Sequence, residues 1–375
     1  MTMLDTAIRD AGACAYVAYG PSADANMRYL TRFTTTDPVV FIKKPGERGM
    51  LIVPQMEYER AVRESGAAVL TRSDAGFFEY LKDGASRTEA TARMIAGLSG
   101  GAVLVPERFP LGLARALEVS VPVILDAGTV EAMRAVKSPE ELERIRSVQR
   151  ATEAAMDRAI ALIRGARPVD GVLHRGGEPL TSERVRGEMH SLLFGFGCSA
   201  KETIVACGAD TALPHHTGSG PLLAGEPIVI DIFPQDEKSG YHADMTRTVV
   251  WGEPSVEIRE MYEAVRDAHE MASSLVRPGA GGGDLYQRVV EFFRERGYAT
   301  DTQGFVHSLG HGVGLDVHEQ PSLGPVGETL VAGNVVTIEP GLYYKGVGGV
   351  RLEDMGAVSP DGFDRFTQYP MELIL

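Results

Sequence analysis

Long apolar segments and a signal-peptide pattern are both missing from this sequence of 375 residues. No apolar run approaches the roughly 20 residues that a membrane-spanning helix needs, so the sequence predicts no membrane partner. The first residues, MTMLDTAIRDAGAC, do not combine a basic start with an apolar core. We therefore expect a protein of the cytoplasm.

Cysteine is scarce, with three residues and no CxxC spacing. This usage is typical of a reducing compartment and argues against a zinc-ribbon site. Cys198 and Cys207 could pair in principle, but buried free thiols are the expected state. Phosphate-binding patterns are missing as well, because neither GxGxxG nor a P-loop occurs, so nothing indicates nucleotide binding.

Positive charge is in deficit, since the formal net charge is -14 and the pI is near 5.2. An acidic chain disfavours nucleic acid and anionic membranes as partners, because both repel it. The hydrophobic content of 44% and the length together allow two domains, each with its own core.

The first part of the chain alternates short apolar runs with helix-like stretches. Ala15–Tyr19 and Val39–Ile42 are runs of the first kind, while Glu57–Ser65 and Thr88–Leu98 have helical patterns. This alternation predicts an α/β domain with a largely parallel sheet over residues 1–137.

A helix start marks the predicted boundary with a second domain over residues 138–375. Ser138 can cap the helix, Pro139 fits its first position, and Glu141 can complete a capping box. Apolar residues then recur at helical spacing to about Ile163.

The second domain is predicted to be α+β, with helices packed on a curved antiparallel sheet. Residues 165–183 are rich in Gly, Arg and Pro and are predicted to form a loop. The further helices are predicted over Thr181–Phe194, Ser255–Val276 and Asp284–Arg296.

Five side chains of metal-ligand type recur in order through the C-terminal half, each in an apolar or glycine-rich context typical of a strand or strand end. They are Asp231, Asp244, His311, Glu339 and Glu353. Four carboxylates and one imidazole form a hard, oxygen-rich set that suits two divalent ions. A single Asp in an apolar run is more often a strand-end residue, so this prediction depends on the five occurring together.

Several histidines lie near these positions in the sequence. His215 and His216 are adjacent and point in different directions, so we expect only one of them to reach the site. His318 follows His311 by seven residues and can lie near the same cleft without binding metal. For His307, a structural role and a supporting role beside the metal site are equally favoured.

Arg351 precedes Glu353 by two residues, so both would share one face of a strand. Arg351 could then hold a ligand carboxylate or a substrate. Asp354 would point the other way and is expected to be a structural hydrogen-bond acceptor.

These residues resemble those of the pita-bread-fold metallopeptidases, namely methionine aminopeptidase, aminopeptidase P and prolidase, with creatinase as a metal-free relative. The resemblance covers about residues 138–370. Asn26–Thr31 is similar to the creatinase-type N-terminal domain of prolidases and aminopeptidase P, which methionine aminopeptidases generally lack. The resemblance over residues 138–370 depends on the motifs KSPEELERIR, ALPHH, DIFP with GYHADMTRT, HSLGHGVGLDVHE, TIEPGLY and VRLED.

The resemblance implies a centre of two divalent metal ions, with manganese expected and cobalt or zinc as alternatives. Asp244 and Glu353 would bridge both ions. Asp231 would belong to one ion, and His311 and Glu339 to the other.

It further implies roles in hydrolysis of the peptide bond before proline in small peptides. His215 and His318 would steady the substrate and the tetrahedral intermediate, and Glu339 would act as the base. Arg351 would lie beside the metal site. The expected function is that of an Xaa-Pro dipeptidase. The alternative is an Xaa-Pro aminopeptidase, which acts on longer peptides. Because relatives of this architecture are commonly dimers, a homodimer is the expected assembly.

Two features depart from the family pattern. Asp231 and Asp244 are 13 positions apart, so the connecting turn is expected to be longer than usual. Prolidases typically carry an arginine shortly after the HE motif that holds the dipeptide carboxylate, whereas this chain has EQPSLGPVGETLVAGN there. A different cation must then meet the carboxylate, or the enzyme accepts longer peptides.

Two other functions on the same fold are less favoured. A creatinase-like hydrolase acts without metal, and binding modules of this fold have degraded ligand sets. Both are disfavoured because all five ligand positions are retained here.

Overall fold

The structure is a computed structural model that describes residues 2–375. The chain divides into two compact units, Met1–Arg134 and Ala135–Leu375. Nowhere in residues 2–375 is there a helix with the length and apolarity required to cross a membrane.

The first unit contains six strands and a set of short helices. The strands are β1 (Ala15–Gly20), β2 (Val39–Lys43), β3 (Met50–Val53), β4 (Ala68–Thr71), β5 (Val103–Val105) and β6 (Val123–Leu125). The helices up to residue 135 are α1 (Met3–Asp10), α2 (Ala25–Thr31), α3 (Tyr58–Glu64), α4 (Phe77–Lys82), α5 (Arg87–Ser99), α6 (Leu111–Glu118) and α7 (Thr129–Ala135), with a 3-10 helix at Gln55–Glu57.

The strands form one mixed sheet in the order β4-β3-β2-β1-β5-β6. Three neighbouring pairs are parallel, whereas β1–β2 and β2–β3 are antiparallel. The α/β class is confirmed. Strands β2 and β3 are antiparallel because a short turn joins them, whereas the segment between the antiparallel pair β1 and β2 is longer and contains α2.

The second unit contains four long helices and many short strands. The helices are α8 (Pro139–Arg164), α9 (Ser182–Gly195), α10 (Val256–Leu275) and α11 (Gly282–Glu295), with a 3-10 helix at Gly208–Ala212. The strands are β7 (Arg167–Val169), β8 (Val172–Arg175), β9 (Glu178–Pro179), β10 (Cys198–Ser199), β11 (Ile204–Cys207), β12 (Pro227–Ile232), β13 (Gln235–Asp236), β14 (Met245–Val250), β15 (His311–Gly312), β16 (Glu319–Ser322), β17 (Val335–Ile338), β18 (Gly341–Tyr344), β19 (Gly348–Arg351), β20 (Asp354–Ser359) and β21 (Gly362–Arg365).

Helix α8 begins where the capping pattern predicts. The Ser138 hydroxyl accepts from the Glu141 backbone N–H at 3.4 Å, and the Glu141 carboxylate accepts from the Ser138 N–H at 2.8 Å. This reciprocal pair satisfies N–H groups that no helical carbonyl can reach. The predicted end near Ile163 is also confirmed, and so are the other three predicted helices within two residues.

The predicted loop over residues 165–183 is wrong. Three short antiparallel strands, β7, β8 and β9, lie there instead. Their connections are Asp170-Gly171 and Gly176-Gly177, and all four residues have positive φ. Two successive residues with positive φ form the tight turn that joins antiparallel strands, so these dipeptides were hairpin signals.

Two antiparallel sheets carry the residues that the sequence analysis singled out. One has the order β11-β12-β14 and the other β16-β15-β17-β20-β21, with β18 and β19 paired separately. Helices α10 and α11 pack with these strands around a buried apolar core. The expected α+β arrangement is therefore confirmed.

Candidate metal centre and active site

The five predicted ligands lie on, or directly beside, strands of the second unit. Asp231 is in β12, Asp244 precedes β14, His311 begins β15, Glu339 follows β17, and Glu353 lies between β19 and β20.

Strand β14 links these elements through its main chain. Thr246 lies opposite Asp231 in the β12–β14 register, and its carbonyl accepts from the Glu353 N–H at 3.1 Å. Thr248, two residues further along β14 and on the same face, exchanges two hydrogen bonds with the main chain of Arg351 at 2.8 and 3.0 Å. Residues more than 100 positions apart in sequence are thereby held next to each other.

All of the predicted site residues line one cleft of about 590 Å³. The nine are Asp231, Asp244, His311, Glu339, Glu353, His215, His318, His307 and Arg351.

Three of the predicted ligands form the tightest group. Ligand-type atoms of Asp244, His311 and Glu353 all lie within 4.8 Å of one another. The Nε2 atom of His311 is 3.7 Å from Asp244 Oδ2 and 3.2 Å from Glu339 Oε1. One cation could contact an imidazole and several carboxylates at this point.

The imidazole of His311 has a fixed orientation. Its Nδ1 donates to the Gly312 carbonyl at 3.1 Å, so Nε2 is the atom that faces the carboxylates. A hydrogen bond from one ring nitrogen sets the tautomer and leaves the other nitrogen available as a ligand.

Two buried carboxylate oxygens of the site accept no hydrogen bond from any residue in the described range 2–375. They are Asp231 Oδ1 and Glu353 Oε1. A buried oxygen that lacks a partner carries a substantial desolvation cost, which a directly bound cation removes. The donor set therefore fits divalent metal ions.

Burial raises the pKa of Asp244 and of Glu353 well above the usual range of carboxyl groups. Repulsion by neighbouring carboxylates raises both pKa values further, chiefly from Asp231 on Asp244 and from Asp244 on Glu353. Carboxylates this close cannot all be ionised at a buried site without compensating positive charge. Divalent cations would supply that charge.

His311 and Glu339 form an ion pair in the cleft. Burial alone would lower the pKa of His311, but the hydrogen bond and charge of Glu339 raise it to about 9. Burial alone would raise the pKa of Glu339, but His311 lowers it to about 2. A proton and a metal ion thus compete for His311 Nε2.

A chain of buried hydrogen bonds runs behind the predicted ligands. Arg351 donates from Nη2 to Asp231 Oδ2 at 2.5 Å and from Nη1 to the Tyr343 hydroxyl oxygen at 2.8 Å. Tyr343 in turn lies 3.0 Å from His307 Nε2.

The direction of the last bond in this chain follows from the state of His307. Its Nδ1 donates to the Ser308 carbonyl at 2.7 Å, and burial lowers the pKa of the ring. The ring is then neutral, so Nε2 accepts from the Tyr343 hydroxyl. His307 is held by this chain and also faces the cleft.

The premise that Arg351 and Glu353 share a strand is wrong. Strand β19 ends at Arg351 and β20 begins at Asp354, so Glu353 lies in a break between them. Both side chains nevertheless line the cleft. The interruption frees the Glu353 main chain from the regular ladder.

Glycines beside His311 permit close packing of the main chain. A Cβ on Gly310 would lie 2.1 Å from the Thr337 carbonyl oxygen, and a Cβ on Gly312 would lie 2.3 Å from that of Gln320. Any side chain at these positions would push β15 away from its neighbours.

Of the adjacent histidines His215 and His216, His215 lines the cleft. His216 instead lies 3.5 Å from Asp210 and accepts from the Gly218 N–H at 3.1 Å. The ring of His318 packs edge-on against His311, with 4.2 Å between ring centroids.

Sequence reasoning missed three polar side chains that support the site. Thr246 donates to Glu353 Oε2 at 2.8 Å, Thr337 donates to Glu339 at 3.3 Å, and Tyr343 joins the hydrogen-bond chain. Thr246 and Thr337 each lie two residues from a predicted ligand. Because alternate residues of a strand face the same side, this spacing could have predicted that both threonines lie beside the site.

Comparison with known proteins agrees with this geometry. Residues 143–360 match metallopeptidase family M24, and residues 2–136 match the creatinase/prolidase N-terminal domain. The chain belongs to metallopeptidase family M24.

This M24 peptidase is similar over most of its length to a curated Xaa-Pro dipeptidase from Pyrococcus furiosus, with 32% identity over 91% of each chain. It is also similar to the solved prolidase of Pyrococcus horikoshii OT3, with a TM-score of 0.84, 27% identity and 99% of each chain covered. The X-Pro aminopeptidase of Thermotoga maritima has a TM-score of 0.81 and 27% identity over 99% of this chain and 100% of that one. The pita-bread fold and the metallopeptidase class expected from the sequence are confirmed.

Proposed function

We propose that this M24 metallopeptidase is an Xaa-Pro dipeptidase that hydrolyses the peptide bond before proline. The observation that carries the proposal is the convergence of all nine predicted residues on one cleft of about 590 Å³. A cleft of this volume has room for a dipeptide. The dipeptidase names of similar proteins, at 31% to 32% identity, support the same substrate class.

Asp231, Asp244, His311, Glu339 and Glu353 would hold two divalent ions. The unpartnered buried oxygens of Asp231 and Glu353 support this assignment. When bound, such ions lower the pKa of a water molecule and polarise the substrate carbonyl.

A side chain of the cleft would transfer the protons of the reaction. With the ions bound, their positive charge would keep Glu339 ionised, so Glu339 could accept a proton from the attacking water and pass it to the proline nitrogen. The water oxygen forms the new bond to the carbonyl carbon, and the C–N bond breaks.

Two imidazoles would stabilise the reacting carbonyl. Burial lowers the pKa of His318, so its ring is neutral and retains one N–H that can donate to the developing oxyanion. His215 lines the same cleft and would hold the substrate. Arg351 keeps Asp231 in place without touching the reacting atoms.

The second candidate is an Xaa-Pro aminopeptidase, which a specific observation keeps open. Arg351 is the one Arg or Lys among the described residues that line the cleft, and it is already bonded to Asp231 and Tyr343. A dipeptide carboxylate therefore has no unengaged cation there, whereas a longer peptide needs none.

A paired assay tests the two functions. Metal-loaded protein is given an Xaa-Pro dipeptide and the matching Xaa-Pro-Xaa tripeptide, with and without chelator, and kcat/KM is compared. A dipeptide preference that chelator abolishes supports the dipeptidase. A tripeptide preference would replace it with the aminopeptidase, and cleavage that persists in chelator would refute the metal mechanism.

Five narrower expectations accompany the proposal. Manganese is the expected ion, because carboxylate-rich sites accept it readily. The expected assembly is a homodimer and the expected location is the cytoplasm. The expected functional domains are 1–137 and 138–375, and small proline-containing peptides are the expected substrates.

A further inference from the structure

Arg247 lies on β14, behind the sheet that carries the proposed metal site. It is the largest fully buried side chain of the described residues, with 1% of its surface exposed. A guanidinium group has five N–H donors and cannot be neutralised in proteins. A buried charge of this kind is costly unless every donor finds a partner.

Each donor of Arg247 has such a partner. Nε donates to the Pro370 carbonyl at 3.0 Å, and Nη2 donates to Asp354 Oδ1 and the Tyr369 carbonyl, both at 2.8 Å. Nη1 donates to the carbonyls of Thr246 at 2.9 Å and Glu353 at 2.7 Å. The guanidinium thus joins β14, the break before β20 and the C-terminal segment.

The bond to the Glu353 carbonyl connects Arg247 to the cleft. Glu353 lies between β19 and β20, outside a regular ladder. Its N–H is held by Thr246 at 3.1 Å and its carbonyl by Arg247. Both main-chain groups of Glu353 are therefore fixed from β14, and its carboxylate is directed towards Asp244 and His311.

We propose that Arg247 is a positioning residue for the metal centre, holding the Glu353 main chain from the opposite face of the sheet. The proposal rests on the metal site of the proposed function. Arg247 does not line the catalytic cleft, so it acts through Glu353 and not on the substrate. A misplaced Glu353 carboxylate would weaken metal binding, and supporting partners of ligands typically contribute about 10- to 100-fold in affinity.

The first test is Arg247→Lys, which keeps the charge but loses the planar fork. Mn²⁺ affinity is measured by titration calorimetry, and the Co²⁺ form is examined by visible absorption. We expect affinity about 10- to 100-fold weaker, an altered Co²⁺ spectrum and a lower kcat with a nearly constant KM. A folded Arg247→Lys protein with wild-type affinity and spectrum would overturn the proposal.

The matched control is Arg164→Lys. Arg164 and Arg247 both line a cavity of about 310 Å³, but Arg164 pairs with Glu372 at 2.7 Å on the surface. We expect wild-type metal affinity from this variant. An equal loss in Arg164→Lys would mean that the cavity wall matters generally, and the specific role of Arg247 would be rejected.

Asp354→Asn provides a second variant that should fold if Arg247→Lys does not, because it keeps the shape and a carbonyl acceptor at the ion pair. Asp354→Asn removes the negative charge that pairs with Arg247, so we expect a loss of Mn²⁺ affinity that is smaller than the loss in Arg247→Lys. Unchanged affinity would count against the proposal.

A rescue experiment uses Arg247→Ala. Added guanidinium ion can reach the space beside the cavity and should partly restore affinity, whereas urea at equal concentration should not.

Failure of the underlying site has a different signature. If wild-type protein binds no divalent ion, or Asp244→Ala binds as well as wild type, the metal site itself is wrong. If wild type binds two ions and Asp244→Ala does not, while Arg247→Lys is unchanged, only the role of Arg247 is wrong.

Discussion

Arg351 donates a hydrogen bond from Nη2 to Oδ2 of Asp231 over 2.5 Å, and both side chains are buried. The second oxygen of Asp231 has no partner among residues 2–375. One oxygen is thus fixed by an arginine while the other remains available to a cation. This division is expected of a carboxylate that binds metal and is oriented from behind.

Arg351 also donates from Nε to the Thr246 hydroxyl oxygen at 3.2 Å. Arg351→Lys should weaken metal binding, because a lysine cannot reach Asp231, Tyr343 and Thr246 together. We expect about 10- to 100-fold lower affinity for Mn²⁺ and a lower kcat. Calorimetry and dipeptide hydrolysis measure the two effects. Arg158→Lys, in an exposed pair with Glu188, is the control. Wild-type affinity in Arg351→Lys would show that the arginine does not orient Asp231.

Asp244→Ala should abolish dipeptide hydrolysis and reduce the number of bound ions. Asp244 lies in the tightest ligand group, so its loss removes a contact that no neighbour can replace. We expect kcat to fall by at least about 1000-fold, as when a group central to catalysis is removed. Metal content and hydrolysis rate are the measurements. The exposed Asp301→Ala variant should behave as wild type, and full activity in Asp244→Ala would contradict the metal mechanism.

Glu202→Gln should change the charge preference of the cleft. Glu202 is an exposed carboxylate that lines the cleft just before β11, where Ile204 pairs with Asp231. A carboxylate a few ångströms from a substrate charge favours a cation by about 1 kcal/mol, or severalfold in affinity. We expect wild type to prefer Lys-Pro over Glu-Pro in kcat/KM and Glu202→Gln to lose most of that preference.

The control for this assay is Glu237→Gln, which removes one negative charge from an exposed position outside the cleft. It should keep the wild-type ratio of Lys-Pro to Glu-Pro. Equal ratios in wild type and Glu202→Gln would show that Glu202 does not sense the substrate charge.

His269 should make the second unit less stable in mild acid. The ring is fully buried on α10 beside Asp354, and burial lowers its pKa to about 4. The unfolded chain, with a pKa near 6.5, then binds more protons between pH 6.5 and 4. The stabilisation is present above pH 6.5 and is lost as the pH falls towards 4, by about 2 kcal/mol between pH 7 and 5.

Urea unfolding followed by fluorescence of Trp251, the single tryptophan, measures this effect in the second unit. Wild type should lose more stability between pH 7 and 5 than His269→Gln does, because glutamine does not titrate. Identical pH dependence in the two proteins would show that His269 is not the acid-sensitive group.

The sequence by itself determined the classes of structure and the ligand types. Ser138, Pro139 and Glu141 indicated the start of α8, because capping depends on residues within one turn. Asp231, Asp244, His311, Glu339 and Glu353 were found because strand contexts and family motifs are local patterns. The hairpins at Asp170-Gly171 and Gly176-Gly177 were also local signals, but the composition of the segment was interpreted as a loop.

Only the tertiary structure decided which side chains support the site. Tyr343 reaches Arg351 and His307, and Arg247 reaches the Glu353 carbonyl from a position 106 residues earlier. Those contacts depend on which strands become neighbours and on the break between β19 and β20. Sequence spacing cannot predict these contacts, because they form only when strands that are distant in sequence pack together.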